Sequence, residues 1–188
     1  MPWSRYILGY HGCDAEVARS ITSGKEDLKP SQNKYDWLGH GAYFWEDGYD
    51  RALRWAKEQT ERSGSKIKKP AVLGAIIDLG SCLDLIQVEF LDLVSDAHNR
   101  MLELFDEIEQ SPPVNSGPEM RLRNLDCAVF QALHEFRALE KKAPFDTVRA
   151  FFVEGTPLCP SSGIRQLDHI QICVRNKKSI VGYFLPRK

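Results

Sequence analysis

Three short segments carry residue types suited to chemistry on a bound ligand. The first is Tyr10-His11-Gly12, at the end of a run of strand-forming residues. A histidine there can donate a hydrogen bond to a ribose hydroxyl, and the glycine beside it lets the backbone approach a flat amide closely. The second is Gly39-His40-Gly41-Ala42-Tyr43-Phe44-Trp45-Glu46, in which two glycines flank His40 and lead into an aromatic run. A tyrosine projecting from such a strand can stack on a planar ring. The third runs from Asp168 to Asn176. If it is extended, Gln171, Cys173 and Arg175 face one side while Ile170, Ile172 and Val174 face the core, with Gln171 at the rim of a cleft. Taken singly, a turn histidine and an aromatic core strand explain the first two better than a ligand does, and the third reads also as a plain amphipathic strand on the solvent face.

The elements that position these residues are legible from patterning. Residues 6–12 read as a strand with Ile7, Gly9 and His11 on one face and Tyr6, Leu8 and Tyr10 on the other. A helix is expected over 14–22, capped by Asp14 and ended before Gly24. After a polar stretch at 31–40, a second strand is expected at 42–45. A helix capped by Asp47 or Asp50 should follow, carrying Ala52, Leu53, Trp55, Ala56 and Gln59. The apolar run 71–79 reads as a buried central strand. Leu91, Val94, His98, Met101, Phe105 and Ile108 recur at helical spacing, opposite an acidic face. Beyond the breaker 111–118, a long helix at about 119–142 should turn Leu122, Leu125, Val129, Leu133, Phe136 and Leu139 inward. Strands are expected at 147–153, 170–174 and 180–184, the last two joined as a hairpin through 175–178. The loop 155–169 before Gln171 is long enough to suggest function. Strands, then helices, then strands indicate an α+β fold in one domain over 1–188, with a helical insertion at about 84–142.

Composition narrows the function classes. The 25 Lys and Arg balance 26 Asp and Glu, which argues against a nucleic-acid coat or a polybasic membrane binder. No apolar run spans a membrane, and the opening residues lack the apolar stretch of a signal peptide, so a cytoplasmic location is expected. The five cysteines are scattered without a Cys-x-x-Cys pair, which disfavours a disulfide framework and a metal site. Cys13 lies too close to His11 in sequence for a thiol–imidazole pair. His98 and His134 are expected to pack within helices. Arg165, Arg175, Lys177, Lys178, Arg187 and Lys188 could steer an anion, with a solvated hairpin as the default.

Together the three segments resemble the ADP-ribosyltransferase superfamily, on the His-Tyr-Glu branch that includes poly(ADP-ribose) polymerases and diphtheria toxin. That branch carries His-Gly on its first strand, Gly-x-Tyr-Phe on a later strand followed by a helix, and a glutamate opening a strand near the end. The matches are His11-Gly12, Gly41-Ala42-Tyr43-Phe44 with the helix after it, and Gln171 at the glutamate position. The order of elements agrees over most of the chain, but only about a dozen residues match as motif, and Gln171 departs from the family.

The resemblance implies a split, mainly antiparallel sheet around an NAD cleft. His11 would bind the adenosine-side ribose and the Gly12 backbone the nicotinamide amide. Tyr43 would stack on the nicotinamide ring, Trp55 would supply the opposite face, and Gln171 would reach the nicotinamide ribose. The implied activity is mono-ADP-ribosyl transfer onto a protein or nucleic acid, by a cytoplasmic enzyme resembling bacterial toxins or defence effectors, with an antitoxin or regulatory protein as a partner. Positioning and electrostatics carry such chemistry, because nicotinamide already leaves readily. Glutamine keeps a hydrogen bond but loses the charge and the base of a glutamate. Glu154, Asp168 or Glu46 would then have to supply a carboxylate. An NAD glycohydrolase, or an inactive module binding NAD or ADP-ribose, remains the alternative.

Overall fold

Alternation of apolar residues along the strands gives a sheet with two buried faces, and helices cover both. The computed structural model describes residues 5–187. The first four residues, part of the opening segment discussed above, and Lys188 of the basic cluster lie outside the described residues. The strands are β1 (Tyr6–Asp14), β2 (Ala42–Glu46), β3 (Pro70–Asp78), β4 (Cys82–Asp84), β5 (Thr147–Phe152), β6 (His169–Val174) and β7 (Ile180–Phe184). The helices are α1 (Ala15–Thr22), α2 (Tyr49–Thr60), α3 (Val88–Glu107) and α4 (Asn124–Leu139). The architecture is α+β. One seven-stranded mixed sheet runs in the order β4-β5-β6-β2-β1-β3-β7. Of the strand pairs among the described residues, only β4–β5 is parallel.

On one face, Phe44, Leu73, Ala75, Ile77, Ile172 and Val174 form a core with Ala18 and Ile21 of α1. Asp14 caps α1 by accepting from the Glu16 amide, and its other oxygen takes the amides of Lys68 and Lys69. On the opposite face α3 and α4 lie over β4, β5 and β6. Their Ala97, Met101, Val129, Phe130, Leu133 and Phe136 meet Leu83, Val148, Ala150 and Cys173. The segment between β4 and β5 therefore supplies the cover of half the sheet. Helix α2 covers β1 and β3 on that same face through Ala52 and Trp55.

Several local expectations differ from this arrangement. β6 and β7 are not a hairpin: β6 pairs with β5 and β2, while β7 pairs with β3 at the far edge. The connection, containing a 3-10 turn at Lys177–Ser179, passes the width of three strands. Its six Cα steps reach only about 16 Å, with the 3-10 turn rising about 2 Å per residue and the rest about 3.3 Å. Four flat strand spacings need about 19 Å, so the sheet is bent. Ile172 and Val174 of β6 accordingly share a core with Ile180 and Tyr183 of β7. Neither Asp47 nor Asp50 caps α2. The N-cap is Gly48, and Asp47 adopts a left-handed φ of 49°. Leu91, Ile108, Leu122 and Leu139 are exposed, because α4 spans only 124–139 and α3 turns Phe90, Val94, Ala97 and Met101 inward instead.

Candidate functional site

The seam between β1 and β2 brings the first two motifs together. Its ladder holds two pairs, Gly9↔Glu46 and Tyr10↔Trp45, and then stops. The Asp47 amide donates to the Leu8 carbonyl, so the peptide groups of Tyr10 and Gly12 also point toward β2, as strand alternation requires. Beyond Tyr10 the strands diverge. Gly41 exchanges both backbone hydrogen bonds with Ser31 instead of with β1. The Tyr43 carbonyl, left without a ladder partner, accepts from His11 Nδ1 at 2.8 Å. The Gly12 peptide thus faces a gap bordered by His11 and β2.

Burial lowers the His11 pKa and outweighs the opposing pull of its bond to Tyr43. The ring is therefore neutral near pH 7, with Nδ1 protonated and Nε2 an acceptor. Such a nitrogen can receive a hydroxyl proton. Gly12 is needed for packing as well. A Cβ there would collide with the Ala52 carbonyl oxygen of α2 and lie 3.0 Å from Trp55 Cε3.

Tyr43 is held at its hydroxyl, which accepts from the Leu38 amide at 2.9 Å and donates to the Gly39 carbonyl at 2.6 Å. Its ring packs on the α3/α4 core, and burial pushes its phenol pKa far up. Trp55 belongs to the separate α2 cluster, where it meets Trp45 at 5.9 Å, so the structure does not pair it with Tyr43. Gln171 lies between Trp45 and Ala150 in register, on the face that also carries Tyr43 and Cys173. Its side-chain amide makes no hydrogen bond among the described residues, so it is uncommitted.

The three carboxylates differ. Glu46 is clamped by Arg149, whose Nη2 donates at 3.0 Å, while Arg149 Nη1 also binds Asp84 at 3.1 Å. Asp168 shapes the loop by accepting from the amides of Glu154 and Arg165. Glu154 has a side chain only 14% exposed and receives Arg51 Nη2 at 2.7 Å. It stands 3.7 Å from His169 Nδ1, two residues before Gln171 on the same face. His169 stacks on Phe152 at 5.7 Å and donates Nδ1–H to the Leu167 carbonyl. Burial lowers its pKa. Sequence reasoning missed Arg51, Trp37, Arg123, Arg149 and His169, because pairs such as Arg51 with Glu154 join residues 103 apart and leave no periodic trace.

Cys13 is a buried thiol, its pKa pushed up to about 11 by burial and by Asp14, which removes it as a nucleophile. Two of the cavities lie beside β5 and the residues just after it. One of about 320 Å³ is lined by arginines and Glu154. The other, of about 740 Å³, is apolar and runs between α3, α4 and β5. Trp37 borders both. Among the described residues no group of three or more His, Cys, Asp or Glu could hold a metal, and no helix is long and apolar enough to cross a membrane.

No family model matches the chain, and no solved structure matches it. An uncharacterized protein of Methanocaldococcus jannaschii is 28% identical over 157 residues, which cover 81% of this chain and 67% of that protein.

Proposed function

We propose that the chain binds NAD at the seam between β1 and β2 and transfers its ADP-ribose to a macromolecular acceptor, as a mono-ADP-ribosyltransferase. The observation that carries this reading is the hydrogen bond from the His11 ring to the Tyr43 main-chain carbonyl where the ladder ends, with the Tyr43 ring and Gln171 on the sheet face opposite His11. There the Gly12 peptide groups face the gap, and the Gln171 amide lies uncommitted one strand away. An open strand edge offers a donor and an acceptor to a carboxamide, the same pair that a ladder neighbour would use. His11 Nε2 is the acceptor for a ribose hydroxyl. Gln171 would orient the nicotinamide ribose while the glycosidic bond breaks, without taking up a proton.

NAD glycohydrolysis is the second reading. It is favoured by the lack of a free carboxylate near Gln171, since Glu46 and Glu154 are both engaged by arginines. Incubation with NAD labelled in the adenosine half, with separate pools of protein, RNA and DNA, tests the proposal. Label should appear on one pool, with stoichiometric nicotinamide release. Nicotinamide release without labelled acceptor would establish hydrolysis, and neither product would leave only a binding role.

A further inference from the structure

We propose that the cavity between the loop before β6 and the 117–123 segment is a phosphate-binding subsite, and that its ligand is a nucleotide phosphate, free or at the end of a strand. Arg121, Arg123 and Arg165 converge on this cavity of about 320 Å³, with Trp37 in its wall and Glu154 beside them. Arg51 lies behind Glu154 and bonds to it. These four guanidinium groups meet three carboxylates, those of Glu119, Glu154 and Asp126. A fourth carboxylate, that of Asp168, accepts from the Glu154 and Arg165 amides, so the charges balance, but the Arg165 guanidinium has no carboxylate of its own among the described residues. The Arg165 side chain bonds only the Gly155 carbonyl, at 3.0 Å.

The remaining partners are replaceable or leave donors spare. The Arg121–Glu119 pair is more than half exposed on both sides, so its carboxylate can yield to a ligand oxygen. Arg123 Nε is buried without a partner, as are Arg51 Nε and Nη1. Buried guanidinium N–H groups without acceptors are uncommon and signal a missing partner. Glu154 would repel an anion if bare, but Arg51 at 2.7 Å and Arg121 at 4.0 Å offset its charge. Left-handed backbone at Gly117, Glu119 and Met120 turns the chain sharply just before Arg121. Arginine forks match phosphate oxygens in pairs. The Trp37 ring, with Arg123 over it at 5.1 Å, favours a nucleotide over a phosphorylated peptide, because a base can stack where a peptide side chain gains little.

The cavity is lined by Glu154 and by residues just after β5, and β5 and β1 are separated by β6 and β2 in the sheet, so it lies apart from His11. It therefore suits an acceptor and not the NAD diphosphate. That last assignment rests on the transferase reading, while phosphate binding does not.

The test is fluorescence anisotropy with a short labelled single strand, carrying either a 5′-phosphate or a 5′-hydroxyl, with a mononucleotide and a phosphoserine peptide as competitors. The phosphorylated strand should bind at least about tenfold more tightly than the hydroxyl strand. Arg165→Gln and Arg121→Gln should each remove most of that preference. Both sites are at the surface, and thermal melting will show that the variants fold. NAD affinity, measured in parallel, should stay unchanged in both. Competition by the mononucleotide would identify a free nucleotide as sufficient, and its failure would require the strand end; both agree with the proposal. Equal binding of the two strands, full preference in both variants, or stronger competition by the phosphopeptide would overturn it. Phosphate-dependent binding without any NAD binding would remove the transferase reading and leave the subsite standing.

Discussion

Replacing Tyr43 with phenylalanine separates the two tasks of that side chain. The ring stays and the hydroxyl goes, so any nicotinamide stacking is kept while the tether to the 31–41 loop is cut. In the folded protein the hydroxyl satisfies the Leu38 amide and the Gly39 carbonyl. Both residues are buried, and an unpaired buried polar group costs about 1–3 kcal/mol. The Gly39 carbonyl would keep only the Cys173 thiol at 3.5 Å, a weak donor. The expected loss is about 2–4 kcal/mol. For a domain of this size that lowers the melting temperature by about 4–16 °C, at about 2–4 °C per kcal/mol. Calorimetric melting and NAD titration of the same preparation give the answer. A Tyr43→Phe protein that melts with the wild type would refute the tether. One that melts lower but also binds NAD more than about tenfold more weakly, a loss of about 1.4 kcal/mol, would refute stacking by the ring.

Other expected outcomes follow from the same geometry. Gly12→Ala should push α2 off β1, costing about 1–3 kcal/mol through overpacking and closing the gap to NAD together, read by melting and titration. Arg149→Met should cost about 3–5 kcal/mol by leaving Glu46 buried and unpaired and Asp84 with only the half-exposed Arg5; a stability change below about 1 kcal/mol in urea unfolding would refute that account. His134 is lowered to about 4, chiefly by burial, and His11 and His169 shift the same way. All three are neutral in the fold, so their contribution is complete above about pH 6.5 and declines as pH falls from 6.5 toward 4; equal stability at both ends of that window would contradict it. If transfer occurs, Gln171 should limit it to one ADP-ribose per acceptor site, since an amide cannot accept the hydroxyl proton that chain growth requires. A ladder of increments at one site in intact mass measurement would refute this.

Much of the frame was readable in the sequence because it depends on local rules. Asp14 before an apolar-periodic segment, with Gly24 beyond it, marks α1. The β-branched run at 71–79 could only be an inner strand. The sequence was silent where partners are distant. Two β-rich runs joined by Arg175-Asn176-Lys177-Lys178 look alike whether they pair with each other or with strands far off. The bend of the sheet, which lets so short a connection cross it, is a property of all seven strands. Helix ends failed for a related reason: Leu122 fits the period but lies before the first turn of α4, and Leu139 is its last residue, beyond the sheet it would cover. In the candidate site, His11, Tyr43 and Gln171 could be singled out as motif residues. The surrounding ion pairs of Arg51 and Arg149 could not, because a charged residue in a sequence looks solvated until its burial is known.

The two-pair ladder between β1 and β2 also has a dynamic consequence. It divides the sheet into one block of β4, β5, β6 and β2 and another of β1, β3 and β7, joined by few backbone bonds but by one shared apolar core. β1 and β3, by contrast, pair along nine residues. Blocks joined this way open as cooperative units below the cost of global unfolding. Amide hydrogens at Tyr10 and Trp45 should exchange through that smaller opening, while those of Leu73 and Ala75 wait for the whole molecule to unfold. A ligand that bridges the seam would close the difference, so hydrogen exchange at these few amides reports occupancy even when no reaction can be followed.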